Sequence, residues 1–246
     1  MKIRTLMLGA CAAAALSCGP ALAEDAPTGP VVTFNAAVTN DYLFRGLSQT
    51  SGDAAAQGGA DVTMGMFYAG AWLSNVDFGP TANDPSNKTS IEYDLYAGVR
   101  PVLGPVNLDL GVVRYGYTDS PKAAHYDYWE GKILATHAMG PATLGAAFYY
   151  SPEFFGKTGD AFYYEVNAAY TLGSKATLSG AVGYQDLEKS KAGISSYTTW
   201  NAGVGYPITD HLSVDLRYWD TSHKATRFYT KTFAGDRIVA TLKATF

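Results

Sequence analysis

The chain has 246 residues, and its 18 Lys and Arg against 22 Asp and Glu give a formal net charge of −4. No basic cluster offsets that acidic balance, which argues against a nucleic-acid partner. Both cysteines, Cys11 and Cys18, fall in the first two dozen residues, so disulfide and thiol chemistry are excluded from the rest of the chain.

Those first residues read as an export signal over 1–23. Lys2 and Arg4 supply the positive start, Thr5 to Leu16 is an almost uncharged apolar run, and Ala21-Leu22-Ala23 is a small-x-small cleavage sequence. The apolar run is too short for a membrane-spanning helix, and no later stretch reaches the roughly 20 apolar residues such a helix needs. The mature chain is expected to be one domain, 24–246.

From residue 31 to the end, apolar and polar residues alternate with period two. In the first predicted strand Val32, Phe34, Ala36, Val38, Tyr42 and Phe44 share one face and Thr33, Asn35, Thr39, Asp41 and Arg45 the other. Ala60, Val62 and Met64 then oppose Gln57, Asp61 and Thr63. Ile91, Tyr93, Leu95, Ala97 and Val99 oppose Glu92, Asp94 and Arg100, and Val106, Leu108, Leu110 and Val112 oppose Asn107 and Asp109. The pattern persists where Phe162, Tyr164, Val166, Ala168, Tyr170 and Leu172 face away from Glu165 and Asn167. It closes with Leu212, Val214, Leu216 and Tyr218 against Ser213, Asp215 and Arg217, then Ile238, Ala240, Leu242, Ala244 and Phe246 against Arg237, Thr241 and Lys243. Helical spacing would scatter these charges around every side, so the segments are strands.

Short breaks near Gly65, Leu103-Gly104-Pro105, Gly140-Pro141, Gly173-Ser174 and Pro207-Ile208-Thr209-Asp210 alternate with longer polar breaks near 46–53, 79–88, 118–125, 151–160, 187–195 and 221–235. Five short turns and six long loops join twelve strands and leave both ends on the short-turn side. Each strand with its connection takes about 18 to 19 residues, enough for the 9 to 11 that a tilted membrane strand requires. The expected fold is therefore all-β, an antiparallel transmembrane β-barrel of about twelve strands, with the asymmetry of short periplasmic turns and long outer loops. Alternation weakens over 176–206, around Gly180, Gly183, Gly203 and Gly205, where a register change is conceivable.

A soluble barrel alternates as well, and the aromatic residues separate the two cases. With 18 Tyr, 11 Phe and 4 Trp, the chain places Phe44, Phe78, Tyr93, Trp129, Tyr150, Phe162, Tyr164, Tyr184 and Tyr218 near long-loop ends of the apolar face, and Tyr68, Tyr170, Tyr206 and Phe246 near short-turn ends. Two aromatic bands a membrane apart are expected of a lipid-facing surface. A last strand ending in Phe246 is the form in which barrel assembly machinery recognises its clients. The expected location is the bacterial outer membrane, with outer-membrane lipids as the surrounding partner.

Several motifs resemble a known family. Asp41-Tyr42-Leu43-Phe44-Arg45-Gly46-Leu47-Ser48-Gln49-Thr50, continuing through Gln57-Gly58-Gly59, resembles the TorF-type porin family, proteobacterial proteins of unknown function. The likeness returns in Phe67-Tyr68-Ala69-Gly70-Ala71-Trp72, Ser74-Asn75-Val76, Glu92-Tyr93-Asp94-Leu95-Tyr96-Ala97-Gly98, Tyr128-Trp129-Glu130 and Tyr150-Ser151-Pro152-Glu153-Phe154-Phe155-Gly156, and it thins after about residue 170. The resemblance implies an outer-membrane, porin-like protein and brings no substrate and no site residues.

The candidate pore lining is the charged inward set: Arg45, Glu92, Asp94, Arg100, Asp109, Glu130, Lys132, Glu165, Asp215, Arg217, Arg237 and Lys243, six acids and six bases. Such a mixed lining suits a hydrated passage for small polar solutes without strong selection by sign. The same charges would equally pair across a narrow barrel and close it, and twelve strands lie between filled and open sizes. Asp41 and Arg45, about 13 Å apart along a strand, are too distant to pair with each other and are candidates for a constriction. No enzyme and no cofactor is expected. His125 and His223 fall in outer loops, His211 near a short turn and His137 on the apolar face, an unpromising set for a hydrolase. Asp77, Asn83, Asp84 and Asn87 do not have the spacing of a calcium loop, and Arg114 interrupts the apolar face near a strand's outer end, where a long basic side chain reaches head groups.

Overall fold

The computed structural model describes residues 29–79, 87–173, 175–188 and 196–246, so the segment read as an export signal lies outside the described residues. The strands are β1 (Val31–Thr39), β2 (Leu43–Phe44), β3 (Leu47–Ser48), β4 (Ala55–Met64), β5 (Phe67–Asn75), β6 (Ile91–Val99), β7 (Val102–Leu103), β8 (Val106–Tyr117), β9 (Tyr128–Met139), β10 (Ala142–Ser151), β11 (Ala161–Leu172), β12 (Ala176–Leu187), β13 (Tyr197–Pro207), β14 (Leu212–Thr221) and β15 (Arg237–Thr245). Setting aside the two-residue strands β2, β3 and β7, twelve long strands pair antiparallel, each with its chain neighbour.

The ring closes where β1 pairs with β15, from Asn35 opposite Thr245 to Thr39 opposite Thr241. Phe246 extends the seam by exchanging two 2.9 Å backbone hydrogen bonds with Phe34. Closure removes the unpaired edge that an open sheet would carry. The glycine-rich β12–β13 pair keeps an uninterrupted register from Thr177 opposite Gly205 to Gln185 opposite Tyr197, so the register change conceivable there does not occur.

The alternation appears as an inside-out distribution. Exposed on the outside are Phe34, Val62, Leu73, Leu95, Val112, Ile133, Leu144, Val166, Val182, Val204, Leu216 and Ile238, one from each long strand, which makes a continuous apolar belt. Glu92, Asp94, Glu130, Lys132 and Arg217 are buried inside. Trp129, Tyr164, Tyr184 and Tyr218 stay on the outer surface towards the long loops and Tyr170, Tyr206 and Phe246 towards the short turns, as the two-band reading expects.

The structure corrects that reading at three aromatics and at the first strand. Tyr68 points inward, 5% exposed, and donates to Asp109 at 2.6 Å. Phe78 and Phe44 pack inside, Phe78 against Tyr117, Tyr126 and Phe155 and Phe44 against Tyr115. The first strand stops at Thr39 instead of continuing through Arg45, because the chain turns into the barrel there. The long break after β14 also differs from the expected loop: His223–Ala234 forms a helix, α1, kinked at Thr230, whose buried Ala225 and Ala234 pack with Tyr197 and Leu47.

Inner-wall glycines make room for tyrosine rings lying across neighbouring strands. A Cβ at Gly70 would meet the Tyr96 ring at 2.5 Å, and one at Gly183 would meet the Tyr163 hydroxyl at 2.1 Å. The exterior gives a direct test. Leu95→Arg, at mid-strand on the apolar belt, should destabilise the barrel by about 2–4 kcal/mol in vesicles, measured by denaturant unfolding; on a water-facing surface the same change would be close to neutral.

Candidate functional site

The segment between β1 and β4 builds the centre of the site. β2 and β3 form a small hairpin, Leu43 opposite Ser48 and Phe44 opposite Leu47, whose tip is Arg45-Gly46. Both tip residues have positive φ, 50° and 80°, the signature of a type I′ turn. Glycine is required at 46, since a Cβ there would lie 2.2 Å from Thr199 Oγ1 and 2.7 Å from Thr221 Cγ2. Arg45 carries the strain of a left-handed non-glycine, and its contacts offset it.

Those contacts reach the far wall. Arg45 makes a two-pronged ion pair with Glu130 of β9, at 2.9 and 2.7 Å, and donates to Gln185 of β12 at 2.9 Å. Its guanidinium carbon lies 4.9 Å from the Tyr149 ring centroid, 4.4 Å from that of Tyr163 and 4.6 Å from that of Phe44. Tyr197 donates to the Arg45 carbonyl at 3.2 Å. The side chains of Arg45 and Glu130 are 4% and 1% exposed. Burial opposes charge on Arg45, but the Glu130 carboxylate outweighs it and holds the guanidinium firmly protonated.

The base of the hairpin is tied separately. Asp41 accepts from Ser48 at 2.6 Å and from Thr50 at 3.0 Å, and it forms an ion pair with Arg237 of β15. Tyr42 donates to Glu92 at 2.8 Å and packs edge-on against Trp72. Burial, with the Glu92 charge adding to it, pushes the Tyr42 phenol up, so it stays a donor. Asp41 and Arg45 do not pair with each other; the chain between them is not the continuous strand expected, and the two residues anchor the hairpin at base and tip.

The other candidate residues fall into separate groups. Asp109 receives Arg100 at 3.2 Å and Lys132 at 3.4 Å, with Arg100 stacked 3.8 Å from the centre of the Tyr68 ring. Arg217 pairs with Asp215 at 3.0 Å and also reaches Asn201 and Ser179. Glu165 accepts from Tyr163 and Asn167, while Lys243 is half-buried on β15. The twelve residues therefore line one interior without converging on one point.

Accessibility is graded along the axis. Glu92, Asp94, Glu130 and Gln185, at the long-loop half, are 1–2% exposed. Arg100 and Asp215, towards the short turns, retain 27% and 29% of their side-chain surface. The inward hairpin fills the first half and leaves the second wet. Sequence reasoning collected the charges and missed Tyr149, Tyr163 and Gln185, which complete the Arg45 cradle, and Tyr42, which ties the hairpin's base to Glu92. Inward parity on their strands is the signal that marks Tyr149, Tyr163 and Gln185.

Asn83 and Asp84 lie outside the described residues. His137 Nδ1 sits 2.9 Å from the Pro105 carbonyl, and His211 stacks on Phe246. Arg114 pairs with Asp127 at 2.8 Å and lies 5.7 Å from the Trp129 ring centre, at the long-loop rim of the exterior. Among the described residues no group of three His, Cys, Asp or Glu side chains is arranged to hold a metal ion.

Residues 23–246 match the family model described as a bacterial protein of unknown function (Gcw_chp). The chain belongs to this family. No curated protein matches this Gcw_chp chain. Among solved structures it is similar to the KdgM porin, with a TM-score of 0.57 and 10% identity over 88% of this chain and 99% of that one. It is also similar to the NanC porin, with a TM-score of 0.54 and 8% identity over 88% and 99% of the two chains. At such identities the likeness is one of fold: a twelve-stranded closed antiparallel barrel of the porin kind. These matches do not carry the TorF-type name, so what stands of the resemblance is a bacterial family of unknown function with porin-like architecture.

The Arg45–Glu130 pair should behave as a buried ion pair. Arg45→Met should cost about 3–5 kcal/mol by leaving Glu130 unpaired. Adding Glu130→Gln should recover part of that loss in a double-mutant cycle read by equilibrium unfolding in detergent micelles.

Proposed function

We propose that the chain is a porin-like outer-membrane channel through which small hydrophilic solutes diffuse passively, narrowed by the 40–54 segment. The observation that carries this reading is a closed ring with an apolar exterior and a charged, polar interior, wet at its short-turn half. The membership in a bacterial family and the porin fold support an outer-membrane location, with short turns at the periplasmic side. The terminal strand ending at Phe246 would then be the segment presented to the barrel assembly machinery. The mixture of acids and bases on the interior, with Asp41 and Asp61 beside the twelve candidates, favours weak selection by charge sign over a dedicated anion or cation path. Arg100, Asp109, Asp215 and Lys243 would meet the solute on the periplasmic side, with buried Lys132 and Arg217 behind their carboxylate partners, and Arg45, Glu92, Asp94, Glu130 and Arg237 would surround or lie behind the constriction.

One observation favours a second reading, a closed structural barrel: the cross-wall cradle of Arg45, Glu130 and Gln185 is almost fully buried. Planar-bilayer conductance decides between them. Thr39 and Ala55 are register partners, so residues 40–54 can be replaced by a tight turn without breaking the wall. The parent should show small steady conductance and the shortened variant a conductance several-fold larger, with altered ion selectivity on Arg100→Ala. A correctly folded shortened variant that stays silent would overturn the channel and leave the closed barrel.

A further inference from the structure

Behind the hairpin, three carboxylates and one guanidinium share a buried neighbourhood. Glu130 is taken by Arg45, whereas Glu92 receives the hydroxyl of Tyr42, faces Tyr117 across the β6–β8 pair, and has no cationic side chain in an ion pair with it among the described residues. Asp94 is 1% exposed, and neither of its carboxylate oxygens has a hydrogen-bond partner among the described residues. Its register neighbours are Trp72 on β5 and Tyr115 on β8, and its charged neighbours are Glu92, two residues away on the same face of β6, and Glu130. A buried carboxylate without a partner is strongly disfavoured, and an orphaned buried group calls for water or an ion.

We propose that Asp94 and Glu92 bind a hard divalent cation of the calcium type. Three carboxylates against one guanidinium leave two negative charges uncompensated, which one divalent ion would neutralise. The available atoms, two carboxylates and the hydroxyls of Tyr42 and Tyr117, are all oxygens, the donor class such ions select. Glu130, held by Arg45, is not a ligand, so the site is a two-carboxylate one completed by hydroxyl and water oxygens. With so few charged ligands its affinity belongs to the weak end of calcium sites, about 10⁻⁴ to 10⁻³ M. Because Tyr42 belongs to the segment that fills the barrel and donates to Glu92, occupancy would also tie that segment to the wall. The binding claim holds whether or not the barrel conducts.

Terbium, a luminescent stand-in for calcium, tests it, since Trp72 beside Asp94 serves as the sensitiser. Chelator-treated full-length mature protein, refolded in detergent without lipopolysaccharide, should show saturable terbium emission on tryptophan excitation, displaced by calcium. Asp94→Asn, which keeps shape and removes charge, should weaken that emission at least tenfold while the circular dichroism spectrum is unchanged. Trp72→Phe should lose emission but retain calcium binding by calorimetry. Emission equal in Asp94→Asn and parent would place the ion at surface loops and overturn the proposal. So would the absence of any emission in the parent, which would mean that the carboxylates are neutralised by protons.

Discussion

The closed hydrogen-bond ladder is the constraint from which the rest of this structure follows. Each long strand finds both neighbours within the ring, and the β1–β15 seam leaves no edge. Once the wall is closed, every second side chain points into a confined space and the others into the surroundings. A strand cannot slip by one residue without exchanging the two sets. Twelve strands obeying that rule produce the apolar belt outside and the charged interior.

Confinement then governs the interior. Charges shut inside a ring must be paired, hydrated or compensated, and each solution is present at a different depth. Towards the short turns Arg100, Asp109 and Asp215 retain contact with solvent, while buried Lys132 and Arg217 are paired to Asp109 and Asp215. Towards the long loops the chain supplies its own counter-charge by folding Arg45 across the barrel onto Glu130. The aromatic cradle around that guanidinium, and the glycine at 46 that lets the tip pass Thr199 and Thr221, show that the hairpin is shaped for this position.

Helix α1 belongs to the same end. Its contact with Leu47 and Tyr197 places it against the returning strand of the hairpin, so two segments far apart in the sequence pack together at the long-loop end. β1 and β15 are neighbours in the ring, which brings those loops side by side, and the Asp41–Arg237 ion pair joins them.

Much of this was legible in the residues. Period-two alternation determined the strands and their two faces, because each position's polarity is a local record of which side of a wall it occupies, and the two aromatic bands pointed to the inside-out sense. Turn chemistry determined the order of short and long connections. Only the tertiary structure decided that the chain from Asp41 to Thr50 leaves the wall. Its alternating residues read equally well as more strand, and what turns it inward is a partner on the far side, Glu130, 85 residues on. The sequence placed the charges on one inner face. Which of them pair, and which, like Asp94, are left without a partner, depended on distances across the barrel that no pattern along a single strand records.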